Sequence, residues 1–313
     1  MRSPQTPIKD PTRTLPQQHT AIKLQWLGLF YCLIATCSAR AADSVRLTHD
    51  SLFKRDPVFI ARGEELVYVV LDRPEQLRLM RLNLVDRTVH PLHKDEMRSE
   101  LEPAFSSDGR YYVFLQNRGA ASVAMVIRDL QTNEYAEIPP APGFAGMRSP
   151  AFSPDAKRLI YSFAEHGRQQ IYSVNTKGKD PKTLIDSTGI NNWPSYSPDG
   201  QRILFGSTRH GNFDIYVANR DGSNICRVTN LPCQDIRPRF SPNGKRIAFT
   251  SNRDGNYEIY VMNVDGTGLF RLTENPEKDD YPAWHPDGKR LVIVSERTGR
   301  QDLYLVQVPT YVP

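Results

Sequence analysis

Cysteine is scarce: four residues in 313, two of them before residue 41. That is too few for a disulfide scaffold. An excess of one charge is also missing from most of the chain. The net charge of +5 sits almost wholly in residues 1–41, where Arg2, Lys9, Arg13, Lys23 and Arg40 face only Asp10. Taking those from the 40 basic and 35 acidic residues leaves 35 against 34. A body this close to neutral has no electrostatic reason to seek phosphate backbones, so nucleic acid is not expected as a partner. No apolar run after residue 41 approaches the roughly 20 residues that a membrane-spanning helix needs. Catalytic signatures are lacking too: there is no Gly-x-Ser-x-Gly elbow, no HExxH and no glycine-rich phosphate loop. What is present is 39% hydrophobic and 10% aromatic residues, enough for a core. Global disorder is thereby excluded.

The first 41 residues differ from the rest. Met1–Thr20 is polar, basic and proline-rich, and Leu24–Ala35 is apolar. Small residues follow, with Ala39 and Ala41 placing an A-x-A cut before Ala42. This order reads as a secretory signal peptide. A retained anchor and a lipoprotein modified at Cys37 are the alternatives. Residues 42–313 then form the mature chain, expected to be exported and monomeric.

Self-similarity dominates that mature chain. A proline opens each of six units, at Pro57, Pro103, Pro150, Pro194, Pro238 and Pro282, spaced by 46, 47, 44, 44 and 44 residues. Each unit reads as strands and turns. In the fifth, a strand at Arg239–Ser241 runs into Pro242-Asn243-Gly244, where Pro presets φ, Asn bonds its own backbone and Gly accepts positive φ. Strands follow at Arg246–Ser251, Glu258–Asn263 and Phe270–Thr273. Both faces of the middle two are apolar, so the sheet needs neighbours on both sides. Four-stranded units of this length, stacked face to face, are propeller blades. The last unit stops after its third strand, Asp302–Val308. The start of the mature chain, Val45-Arg46-Leu47-Thr48, matches the fourth strands Arg227-Val228-Thr229 and Arg271-Leu272-Thr273. The fold class is therefore all-β: a single six-bladed β-propeller of four-stranded antiparallel blades over residues 42–313. An N-terminal strand completes the last blade, which removes the open sheet edges.

The unit FSPNGKRIAFTSNRDGNYEIYVMNVDGT resembles the WD-like β-propeller repeat of the TolB family. The resemblance runs over Val45–Val308 and is most specific in the last four units. In the first, Ile60-Ala61-Arg62-Gly63 stands where the others have a Ser-Pro-Asp-Gly turn. It implies a periplasmic protein of the Tol–Pal cell-envelope system whose propeller binds the peptidoglycan-associated lipoprotein. The family's N-terminal α/β domain, which engages TolA, has no counterpart in the fifteen residues between Ala42 and Pro57. The expectation is a TolB-like, propeller-only, non-enzymatic binding protein.

Several residues invite chemistry and are better explained by structure. His49, His90 and His93 lie on or near outer strands and lack a third metal ligand from elsewhere. His166 and His210 sit in hairpin turns, and His285 replaces the turn serine. Asp221-Gly222 and Asp265-Gly266 offer one carboxylate each, where a calcium loop needs several. No metal or cofactor is expected. Arg209 and Asp214, Arg253 and Glu258, and Arg297 and Asp302 lie five apart across a hairpin and are expected to pair. Cys226 and Cys233 are expected to bridge in an oxidising compartment, with a pair of free thiols as the alternative. Ala156 takes the place of the turn glycines Gly109, Gly200, Gly244 and Gly288, and is strained if that position needs positive φ.

Most turns repeat the same residues from unit to unit. The positions just before each proline do not. They hold Arg55 and Asp56, Glu102, Arg148, Asn192 and Trp193, Asp235 and Arg237, and Asp280 and Tyr281. In a propeller these feed the innermost strands and ring the channel mouth. Mixed charge with Trp and Tyr suits an envelope protein or peptide as ligand. The same ring would equally serve oligosaccharide binding or degradation.

Overall fold

The computed structural model describes residues 44–119, 122–140, 146–165, 167–297 and 299–310. The expected signal peptide, residues 1–41, lies outside them, as does His166. Six separate four-stranded antiparallel sheets make up the described chain, five of them meanders and the sixth completed by an N-terminal strand. Their first strands are Lys54–Ile60, Glu100–Phe105, Gly146–Phe152, Asn191–Tyr196, Asp235–Phe240 and Asp279–Trp284. Each of these contacts the first strand of the blades before and after it, and the sixth contacts the first. The six inner strands thus close a ring around a central channel. The only helical element among the described residues is one 3-10 turn, Ala61–Gly63. No helix there is long and apolar enough to cross a membrane.

The second and third strands of every blade are apolar on both faces, and the packing explains why. Buried side chains form six hydrophobic clusters, one between each pair of adjacent blades. Between blades five and six, for example, Ala248, Ile259 and Val261 meet Leu291, Ile293 and Tyr304. A single blade has no core of its own.

The Ser-Pro-Asp-Gly turns behave as their chemistry dictates. Ser197 Oγ donates to Asp199 Oδ1 at 2.5 Å and accepts from the Arg202 amide at 2.9 Å, while Gly200 adopts φ 68°. In blade three the same turn forces Ala156 to φ 52°, as anticipated. The first blade departs because His285 of blade six, whose ring lies edge-on to Phe59 at 4.8 Å, occupies the space beside Gly63. A Cβ at Gly63 would sit 2.4 Å from His285 Nε2. Asp221 and Asp265 spend one oxygen on local turns, accepting from the amide and hydroxyl of Ser223 and of Thr267.

The closing strand forms at Ser44–Arg46 and pairs with Asp302–Gln307. Its sequence likeness to the other fourth strands has a physical basis. The third strands of blades four, five and six begin with buried carboxylates: Asp214, Glu258 and Asp302. Each is met by an arginine of the fourth strand, and in blades five and six also by the hydroxyl of a threonine two residues on, while in blade four Thr229 Oγ1 accepts from the Ile215 amide. Arg227 Nη2 lies 2.7 Å from Asp214, and Arg271 Nη2 3.1 Å from Glu258. Thr273 Oγ1 donates to Glu258 at 2.5 Å. In blade six the same parts come from the other end of the chain. Arg46 Nη2 is 2.5 Å and Thr48 Oγ1 2.7 Å from Asp302.

Two expectations are corrected. The hairpin arginines do not pair with the acids five residues later. Those acids stand opposite Ser207, Ser251 and Ser295 and are already held by the fourth strand. The arginines instead reach back to the start of their own inner strand. Arg253 binds Asp235 at 2.9 Å and Arg297 binds Asp279 at 3.1 Å, while Arg209 meets the amide oxygen of Asn191 at 3.1 Å. Nor do Cys226 and Cys233 bridge; both are free thiols. Cys226 is exposed on the outermost strand, whereas Cys233 turns inward toward Asp235 Oδ1 at 3.5 Å.

Candidate functional site

Each inner strand carries the same defect. The register to the second strand slips between Arg55 and Val58, Leu101 and Ala104, Arg148 and Ala151, Asn192 and Ser195, Ile236 and Arg239, and Asp280 and Ala283. The proline inside each bulge cannot donate to the ladder, which is why the ladder breaks there. The residue before the proline is forced to positive φ. Asp56, Glu102, Ser149, Trp193, Arg237 and Tyr281 all lie between 48 and 56°. None is glycine, so each position stores strain of order 1 kcal/mol or more. The strain is repeated in every blade and carried by six different side chains, which makes this ring the candidate site. These residues belong to the strands themselves, not to loops ahead of them.

The ring is one connected network. Arg55 donates to Asp56 at 2.6 Å and to Glu102 at 3.1 Å. Glu102 also accepts from Arg148 at 3.4 Å and from the Ser149 amide. Ser149 Oγ bonds Asn192 Oδ1 at 3.3 Å, and that oxygen accepts from the Trp193 amide at 2.9 Å. Arg237 lies 5.3 Å from the Trp193 ring and 4.1 Å from the Tyr281 ring, donating to the Tyr281 hydroxyl at 3.1 Å. Asp280, buried behind it, is 3.1 Å from Arg237 and 2.8 Å from Lys278. The circuit closes where Arg55 faces Tyr281.

Trp193 has its own accommodation. It packs on Phe213 at 5.0 Å and lies against Gly206, where a Cβ would come within 3.0 Å of the ring. The cross-strand position is Thr250 in blade five and Val294 in blade six; here a glycine leaves the indole room that a side chain would crowd.

Burial pushes the Glu102 carboxyl up, helped by the charge of Asp56 and opposed by Arg55, the Ser149 amide and Arg148. Burial alone would pull Arg55 down, but Asp56, Tyr281 and Glu102 outweigh it and hold the guanidinium above its ordinary value. The Tyr281 phenol is raised by burial, against Arg237 and Arg55.

Below the ring the channel forms a cavity of about 700 Å³ lined by the inner strands. Arg55, Asp56, Glu102, Trp193 and Arg237 line it directly. Arg148 stands exposed at the rim, and Asn192, Asp280 and Tyr281 support the ring from behind. Asp235 does not belong to the site. It is fully buried inside blade five as the partner of Arg253. Sequence reasoning missed Arg239, the residue after Pro238. The signal was available: the six residues after the prolines are Val58, Ala104, Ala151, Ser195, Arg239 and Ala283, of which one alone is charged. As for the histidines, His93 has both ring nitrogens engaged, Nδ1 with Glu100 at 2.6 Å and Nε2 with Tyr112 at 2.9 Å.

The family model described as "TolB beta propeller domain" matches residues 49–232, and one described as "Tricorn protease N-terminal beta propeller domain" matches residues 214–311. No curated protein matches by sequence. Among solved structures, TolB from Acinetobacter baumannii is similar with a TM-score of 0.64 at 21% identity, over 78% of this chain. This chain spans 64% of the length of that protein. A putative TolB from Agrobacterium tumefaciens is similar at 0.65 and 22% identity, covering 84% of this chain and 93% of that one. Oligogalacturonate lyase from Vibrio parahaemolyticus reaches 0.60 at 14% identity, over 88% of this chain and 96% of the other. At these identities the likeness is one of fold.

Proposed function

Because the chain belongs to the TolB β-propeller domain family, we propose that it is an exported, periplasmic and non-enzymatic binding module. Its channel mouth receives a protein or peptide of the cell envelope, with the peptidoglycan-associated lipoprotein as the first candidate. One observation carries this reading: six strained bulges hold six different side chains in a ring, while the remaining turns repeat. The charged groups of that ring are paired with each other, so the surface is pre-organised before any ligand arrives. Its carboxylates are engaged by arginines, which suits recognition better than proton transfer. Arg148, Arg237 and Trp193 are the side-chain types that most often anchor protein interfaces. The basic-apolar-small order of residues 1–41 supports export.

The test is calorimetric titration of residues 42–313 with purified peptidoglycan-associated lipoprotein. Trp193→Ala and Arg148→Ala are expected to weaken binding by roughly 10- to 30-fold each, since lost anchors cost about 2 kcal/mol. Neither residue lies in an inter-blade cluster, so melting is expected to stay nearly unchanged. Tyr281→Ala is expected to lower both, because Tyr281 packs against the cluster between blades six and one. Wild-type affinity in both the Trp193 and Arg148 variants would remove the mouth as the site. No binding to this protein, with retention of envelope oligosaccharide instead, would overturn the protein-ligand reading in favour of the glycan one.

A further inference from the structure

We propose that the channel beneath the mouth holds a binding site for one carboxylate group, formed by Arg239 of blade five and Ser195 of blade four. This deepens the reading of the mouth as an entrance, because it names the chemistry that the entering segment carries.

The argument begins with charge. Around the ring, Arg55 and Arg148 are matched by Asp56 and Glu102, and Arg237 by Asp280. Lys278 approaches Asp280 from an edge where its own side chain is partly in solvent. Arg239 is left over. It lines the cavity, and its one hydrogen bond among the described residues goes to the carbonyl of Pro238, at 3.1 Å. Among the described residues, no carboxylate lies within ion-pair distance of it. Asp56 and Glu102 act on it only from farther off, and both are committed to other arginines. Burial draws the guanidinium below its ordinary value, which measures how poorly the channel replaces its water. Partly exposed to the channel, the guanidinium keeps hydrogen-bonding capacity that a ligand can use.

The neighbouring blade supplies a second unsatisfied group. Ser195 is the counterpart of Arg239, one bulge earlier, and lines the same cavity. Its hydroxyl has no hydrogen-bond partner among the described residues. In the proposed site a χ1 rotation presents that donor to the ligand. A guanidinium fork and a hydroxyl on adjacent walls make a receptor for the two oxygens of a carboxylate. A single negative charge matches the single unpaired positive one. A dianion would meet Asp56 and Glu102 above it uncompensated.

The other walls define what bears the carboxylate. Val58, Ala104, Ala151 and Ala283 take the equivalent positions in the other four blades. They are small and apolar, and a cavity of about 700 Å³ is far larger than a carboxylate. The group therefore arrives on a longer body, an acidic side chain or chain terminus threaded through the mouth, or on a free small acid of similar bulk.

The experiment is an NMR titration of residues 42–313 at constant ionic strength with three probes. These are propionate, an N-acetylated penta-alanine with a free C-terminal carboxylate, and its C-terminal amide, each up to ~50 mM. Saturable shifts are expected with propionate and with the free-acid peptide but not with the amide. Arg239→Gln should abolish them, Ser195→Ala should weaken them several-fold, and Arg239→Lys should restore part. Since the Arg239 side chain makes no ion pair among the described residues, the Gln variant is expected to melt like the parent. The Lys variant covers the case where it does not. Tighter binding of the free-acid peptide than of propionate identifies a chain-borne carboxylate. Equal binding identifies a free acid at the same site. Shifts that persist unchanged in Arg239→Gln, or no saturable response to either acid, would overturn the site. Trp193→Ala separates this from the mouth reading. It should weaken the peptide and leave propionate untouched, so a failed propionate arm removes the carboxylate site alone.

Discussion

Ala156 shows what one residue costs when a repeat is copied imperfectly. Its siblings Gly109, Gly200, Gly244 and Gly288 adopt φ between 68 and 72°, and Ala156 is held at 52° by the same turn. The Cβ makes that conformation strained, although the methyl group is buried. Ala156→Gly is expected to stabilise the protein by about 1 kcal/mol, read from urea or thermal unfolding. A loss of stability would mean that the buried methyl group outweighs the backbone strain. At the pre-proline positions the reasoning inverts. There the strain is present in all six blades, yet no residue is glycine, so the side chains are being kept at its expense.

At the scale of the blade, the decisive element is the buried polar group at the foot of the inner strand, a carboxylate in blades five and six at Asp235 and Asp279. Arg253 crosses back to Asp235 and stacks on Tyr260 at 4.8 Å; both charges are almost fully buried. Arg253→Ala is expected to cost about 3 kcal/mol, because it strands a carboxylate out of water. Asp235→Asn should cost only about 1 kcal/mol. Blade four already runs on that arrangement. Asn191 donates to the Gln169 carbonyl at 2.9 Å and accepts from Ser207 at 2.8 Å and from Arg209. Equilibrium denaturation of the two variants checks the order; equal losses would mean that the asparagine of blade four is not a substitute for the aspartate. The missing Cys226–Cys233 bridge belongs to this scale too. The outer strand of blade four presents Cys226 to solvent, while the loop turns Cys233 to the same buried Asp235.

For the whole molecule, stability depends on the seam. Asp214 is raised by burial and by Asp235 of the next blade, and Asp279 by burial and, more weakly, by Glu258 of the preceding one. At the seam that like-charge contact is replaced by an opposite one. Lys54, fully buried, puts its Nζ 3.5 Å from Asp302 and 3.1 Å from the Leu52 carbonyl. The seam is therefore held by both ends of the chain: Arg46, Thr48 and Lys54 on one side and Asp302 on the other. Leu47 completes the cluster between blades six and one. A chain starting at His49 is expected to lose several kcal/mol and to unfold less cooperatively than residues 42–313, as judged by calorimetry. Identical melting curves would show that the seam carries no share of ring stability.

The ring itself was legible in the sequence because its causes are local and repeated. Six prolines at near-constant spacing, Asp-Gly turn chemistry and strands apolar on both faces leave little besides stacked blades. The likeness of Val45–Thr48 to two fourth strands announced the closure. The membership of the mouth was mostly legible too, since Arg55, Glu102, Trp193 and Arg237 break an otherwise repeated pattern. What tertiary structure alone decided is which charge meets which. Sequence distance suggested Arg253 with Glu258, but the hairpin register faces Glu258 with a serine and lets the long arginine reach Asp235. Asp235 left the mouth for the same reason, and Arg239 entered the channel because a two-residue bulge turns the residue after each proline inward. Local pattern specifies elements, since turns and strand faces depend on near neighbours. Partners across blades depend on register and on which way a bulge points, and those are settled only when the ring closes.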